Sequence, residues 1–314
     1  MVRISGALDL VWVDTLGEPT DLRSDGVITR MSYEYHIGVL DEESVLAECG
    51  PMRLVIRAWN KKQPQIKLAR RAAEESFSYL ERIARCRMIL SRPYPEISDL
   101  PEDELALEMV NSVATIGDHD LTPMAAVAGT LADAVANWLF EQGVTKVIVD
   151  NGGDIAVRLA EGESVTVGVR PRVTSRHISH VINLDSDRSA WGVTTSGVGG
   201  RSLTRGIASA VTVLSTKASV ADAGATAIAN ACFVEDDRII QLPAAKIDPT
   251  SDLKDMLVTT EVGPLSSEKI LAAINSARRK ADDLSQKGII DGAFIALGSV
   301  YEMAGGMKRY ALPV

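Results

Sequence analysis

One carboxylate and one hydroxyl, Asp222 and Thr226, stand four positions apart in the small-residue run Ala218–Asn230. On a helix, residues i and i+4 share a face, so both side chains converge on one point. The Ala and Gly neighbours leave room for a ligand or another backbone. Two hard oxygen donors with space beside them suit a Mg2+ ion that keeps waters and diphosphate oxygens as its other ligands. The same residues also suit a packed helix whose Asp caps its own start and whose Thr bonds back to a carbonyl.

Two loops upstream add polar chemistry. Asp150-Asn151-Gly152-Gly153-Asp154 lies between two predicted strands, and its glycines allow backbone to approach a ligand closely. Asn-Gly also serves plain hairpins, but a plain hairpin needs neither flanking acid. Thr194-Thr195-Ser196-Gly197-Val198-Gly199-Gly200-Arg201-Ser202 could form a nest of N–H donors for phosphate or carboxylate, with Arg201 and Arg205 as cations. Neither the Walker nor the dinucleotide glycine spacing occurs. Asp118-His119-Asp120 precedes a predicted helix and could supply an acid or base or simply cap the helix. His177 and His180, three apart near a strand, would point to opposite faces, which argues against zinc.

Elements that place these residues follow from periodicity. The first sixty residues read as strands, with alternation over Val27–Tyr35 and a strand at Leu54–Trp59. Ile66–Leu90 reads as one long helix, 91–101 as a connector with three prolines, and Glu102–Val113 as a helix. A helix opening at Thr122-Pro123 should run to about Glu141, with Gly143 ending it. Strands follow at 144–149, 155–159, 164–169, 181–184, 191–195 and 207–214, then the Asp222 helix. Arg238–Leu242 is strand-like, 266–286 is an amphipathic helix and 293–297 a last strand. Leu131–Asn137 echoes Val220–Thr226, a hint of two related halves.

Composition bounds the function. The 314 residues suffice for a sizeable core, and 42 acidic against 33 basic residues give a net charge of −9, which argues against a nucleic-acid or anionic-membrane surface. Three cysteines without metal-finger spacing, and no secretory leader, fit a cytoplasmic protein. The longest apolar segment, Ala125–Phe140, holds Asp133 and is too short to span a membrane. The sequence gives no reason to cut an independent domain. It reads as one domain over 1–314, with an N-terminal lobe over about 1–100 and a C-terminal extension over about 235–314.

Four ordered segments, Thr122–Gly129, Asn151–Ile155, Thr195–Gly197 and Ala221–Thr226, resemble the ApbE-like superfamily of FAD:protein FMN transferases, and its stand-alone, non-exported branch most closely. They span about a third of the chain. The resemblance implies an α+β, T-fold-like architecture of sheets packed with helices. It also implies Mg2+ held by Asp222, Thr226 and the Ala125 carbonyl, with FAD as substrate or ligand. Asn151, Gly152, Gly153, Thr195, Ser196, Gly197, Gly199, Gly200, Arg201 and Arg205 would line the ligand cleft, and Asp222, Asp154, His119 and Ser196 are the candidates for catalytic work. Two departures stand out. Ala128 replaces a lysine usual before the glycine of the first motif, and Gly199–Gly206 replaces a His-Ile-x-Asp-Pro segment.

Three functions follow. The first is Mg2+-dependent FMN transfer from FAD. The second is a divergent enzyme of small-molecule catabolism, hydrolysing or ring-opening a heterocyclic acid or amide. The third is a flavin-binding protein without catalysis. A homodimer is compatible with the sequence.

Overall fold

A computed structural model describes residues 10–11 and 34–314. Most of the alternating stretch Val27–Tyr35 therefore lies outside the described residues. Besides Leu10–Val11, which pairs with Ser164–Val169, three strands within the first sixty residues are described: His36–Val39, Ser44–Cys49 and Met52–Asn60. They join Lys146–Asn151, Ile155–Leu159, Ala190–Ser196, Ala210–Ser215, Gly292–Leu297 and Val300–Gly305 in one antiparallel sheet.

Helices cover one face of this sheet and a smaller sheet, containing Ser164–Val169, His180–Asp185 and Ala311–Pro313, covers the other. Central strands are thus buried on both sides. Along Lys146–Asn151, Val147 and Val149 enter the helical core while Ile148 enters the inter-sheet core with Trp191 and Phe294. This is why the strand reads as a continuous apolar run and not as an alternation. The architecture is α+β, as the resemblance implied.

Local corrections have simple causes. The long helix ends at Arg85, and Arg87–Leu90 forms a separate turn beyond Cys86. The apolar stripe continues through Ile83 and Leu90, so periodicity does not register a one-residue break. Pro123–Ala126 is a 3₁₀ turn and the α-helix begins at Val127, running to Glu141. Glu104–Ile116 starts two residues later than expected because Asp103 is the cap, accepting N–H bonds from Leu105 and Ala106. Gly292–Leu297 is not the last strand; Val300–Gly305 and Ala311–Pro313 follow it.

Candidate functional site

The Ala218–Ala231 helix lies against the sheet and the Val127–Glu141 helix, in contact with backbone on several sides. A Cβ on Gly129 would lie 2.2 Å from the Ala218 carbonyl oxygen, and one on Gly192 would lie 2.4 Å from the Ala218 nitrogen. From Ala221 to Asn230 every residue is fully buried except Asp222, Thr226 and Asn230, which are half-buried. These three, at i, i+4 and i+8, form one polar stripe, and all of them line a cavity of about 1600 Å³. Common small-molecule sites occupy roughly 300–1,000 Å³.

Asp222 does not cap its own helix. Its Oδ2 accepts the Gly129 N–H at 2.9 Å, across to the start of the neighbouring helix. Burial pushes its pKa up to about 7, against the pull of the Gly129 and Ala128 N–H groups. The Thr226 hydroxyl likewise makes no bond back to a carbonyl; it faces the cavity.

The Asn151–Asp154 loop forms the next wall. Gly152 and Gly153 have φ of +69° and +110°, conformations that favour glycine. Asp150 turns inward and accepts the Gly153 N–H at 2.8 Å, so it shapes the loop. Asn151 ties the loop to the first motif, donating to the Ala128 carbonyl at 3.2 Å and accepting from the Arg53 N–H at 3.3 Å. Asp154 lines the cavity. Burial, then the charges of Asp222 and Asp150, hold its carboxyl well above the usual range; the Thr195 N–H and Arg201 oppose this.

The Thr195–Gly197 turn follows on the adjoining strand. Thr195 Oγ1 and Thr212 Oγ1 share a hydrogen bond at 2.9 Å. Gly197 is packed against the Ser209 carbonyl, where a Cβ would lie 2.8 Å from its oxygen. Arg201 stands exposed at the mouth over Gly152 and donates to the Pro51 carbonyl. Arg205 pairs with Asp120, and its own N–H donates to Asn230 Oδ1 at 2.9 Å.

A family profile described as AbpE bacteria matches residues 38–308. The chain belongs to this ApbE-like family. Curated relatives include a UPF0280 protein of Methanococcus aeolicus, 31% identical over 67% of this chain and 67% of its own length. Another, of Methanoregula boonei, is 34% identical over 50% of this chain and 62% of its own length. Among solved structures, the apo flavinyl transferase ApbE of Pseudomonas stutzeri shows 13% identity and a TM-score of 0.47, with coverage of 90% of this chain and 98% of that one.

The ApbE-like cavity gathers Asp222, Thr226, Ala125, Asn151, Gly152, Gly153, Asp154, Thr195, Ser196, Gly197, Gly199, Gly200, Arg201 and Arg205 in its lining. His119 is the exception. It is exposed, outside that lining, and tilts against the Tyr94 ring at 5.9 Å. A short turn before the Pro123 helix aims it outward while its neighbour Asp120 lines the cavity. Ser196 has no histidine beside it in the lining.

Sequence reasoning passed over Asn230, Arg170 and the segment around Asp252, all of which line the cavity. Asn230 carried a signal, since i+8 extends the Asp222–Thr226 face. The approach of Asp252 to the Thr122 hydroxyl joins positions 130 apart, and local pattern has no access to it.

The donor set fits a hard divalent cation. Asp222 forms no ion pair and the Thr226 hydroxyl no hydrogen bond among the described residues. The Thr226 hydroxyl and the Asp222 carboxylate, which accepts backbone N–H bonds but faces no cation among those residues, thus share one helix face in a cavity that Ala125 also lines. No group of three or more His, Cys, Asp or Glu side chains is arranged for a metal among the described residues. That sparse set suits Mg2+, which keeps much of its water, better than zinc. No helix among the described residues is long and apolar enough to cross a membrane.

Proposed function

We propose that the cavity takes a flavin nucleotide, FAD, through a Mg2+ ion held by Asp222, Thr226 and the Ala125 carbonyl. The observation that carries this reading is the single polar stripe on the otherwise buried stretch Ala221–Asn230, lying in a cavity roomy enough for a dinucleotide. Bound Mg2+ supplies stabilisation to the charge that develops when a phosphoanhydride breaks. Arg201 at the mouth adds a guanidinium for the ligand's anionic groups. Asp154, whose carboxyl burial and the charges of Asp222 and Asp150 hold well above the usual range, is the cavity carboxylate suited to proton transfer. In its full form the reaction would move FMN from FAD to a hydroxyl of a target protein. The hydroxyl oxygen forms a phosphoester with the FMN phosphorus, the phosphoanhydride breaks, AMP leaves, and the hydroxyl proton passes to a base or to the leaving phosphate.

One observation favours a second reading, catabolism of a heterocyclic acid or amide. No histidine or lysine lines the cavity, and Ala128 occupies the position of the usual lysine. Proton handling then rests on the carboxylates. Fluorescence titration of FAD with and without Mg2+, repeated on Asp222→Asn, tests the first reading. Mg2+-dependent binding that the variant loses supports it. A thermal midpoint unmoved by saturating FAD and Mg2+ overturns it, because a ligand specific for the native state must stabilise that state. A gain of one FMN mass on a co-expressed target separates transfer from binding.

A further inference from the structure

The echo between Leu131–Asn137 and Val220–Thr226 aligns Asp133 with Asp222 and Asn137 with Thr226. In the folded chain these two helices trade caps. Neither has a side-chain cap of its own, which leaves N–H groups of both first turns in need of acceptors. Asp222 Oδ2 accepts the Gly129 N–H of one helix at 2.9 Å, and Asp133 Oδ2 accepts the Ser219 N–H of the other at 3.0 Å.

The remaining contacts differ between the halves. Asp133 Oδ1 receives Arg158 Nη2 at 2.7 Å, and Arg158 Nε donates to Asn137 Oδ1 at 2.8 Å. A guanidinium therefore bridges the carboxylate and its i+4 neighbour. In the other half the matching pair, Asp222 and Thr226, faces the cavity. Asp133 and Arg158 are both buried and lie outside the cavity lining, so the ligand cannot reach them directly.

We propose that Asp133, neutralised by Arg158, is a positioning residue for Asp222. By holding Ser219 it fixes the start of the Ala218–Ala231 helix against Gly129, and this sets where Asp222 and Thr226 meet the cavity. A buried carboxylate keeps its place only while it is paired. Removing the guanidinium releases Asp133 from Ser219 and lets the whole stripe turn relative to the Ala125 side. The inference rests on the reading of Asp222 and Thr226 as cation ligands.

The test uses Mn2+ alone as probe, on the full chain, by calorimetric titration alongside the thermal midpoint. Wild type should bind. Arg158→Met and Asp133→Ala should each lose tenfold or more in Mn2+ affinity while melting cooperatively, and Arg158→Lys should recover part of the loss. Ile148→Val, in the inter-sheet core, is the control for general destabilisation: it should lower the midpoint without changing affinity. If Arg158→Met and Asp133→Ala lower the midpoint and leave affinity as in wild type, the pair is structural only and the proposal fails. If wild type does not bind Mn2+, the cation reading itself fails and takes this inference with it. Should Arg158→Met not fold, Arg158→Lys decides: at least a threefold loss of affinity supports positioning, and no loss overturns it.

Discussion

Gly129 Cα sits so close to Ala218 that any side chain at 129 would occupy the Ala218 carbonyl. Gly129 also donates the N–H that holds Asp222, so packing and site geometry meet at one residue. Gly129→Ala must push two helix starts apart. Overpacking of this kind costs about 1–3 kcal/mol or more. Urea unfolding should show that loss, and a change within about 0.5 kcal/mol would contradict the packing argument.

Asp222→Asn keeps an acceptor for Gly129 but loses the charge. The variant should fold and no longer gain thermal stability from Mg2+, whereas wild type gains in proportion to the logarithm of free Mg2+ above its dissociation constant. An equal Mg2+ response in both proteins would remove Asp222 from the cation site.

Asp222 has a folded pKa of about 7, raised by burial above its unfolded value near 4. Its protonated form is therefore favoured by folding, and its contribution to stability falls as pH rises from about 4 to 7. Without metal, wild type should lose stability over that window relative to Asp222→Asn. Metal binding must displace the proton, so Mn2+ affinity should climb with pH up to about 7 and then level off. Calorimetry in buffers of different ionisation enthalpy would detect the released proton at pH 6 and little at pH 8.

Asp103 predicts the opposite sign. Burial works against its charge, but the Arg82 bond and the Ala106 and Leu105 N–H groups hold its carboxyl below the usual range. Its stabilisation is present above the unfolded value near 4 and is lost as pH falls through the lower folded value. Asp103→Ala should cost about 0.5–2 kcal/mol at pH 7, as for other lost helix caps. The gap from wild type should close in strong acid, and a gap unchanged at pH 2 would mean that packing, not charge, explains it.

Much of the fold was legible because local signals are strong where they exist. The strand Ile155–Leu159 lies between glycine turns, Ser164–Val169 runs from the Gly162 turn to Pro171, and Pro123 and Gly143 punctuate one helical region. The cavity wall was legible for the same reason: glycines and hydroxyls cluster at Asn151–Asp154 and Thr195–Gly197, and Asp222 and Thr226 share a face by spacing alone. What escaped depends on partners far away in sequence. Nothing around Arg158 says that its guanidinium spans Asp133 and Asn137, and nothing around Asp222 says that its hydrogen bond serves another helix. His119 misled because a turn of one residue decides whether a side chain meets the cavity or the solvent.

The stripe Asp222–Thr226–Asn230 also has a length. At about 1.5 Å of rise per residue its groups lie at steps of about 6 Å, some 12 Å from first to last. The tight backbone contacts at Gly129 and Gly192 keep that helix from sliding. It therefore works as a fixed ruler: a ligand must carry its polar groups at those intervals to touch all three marks. A ligand too short to span them reaches two at most, so ligand length is read against helical pitch.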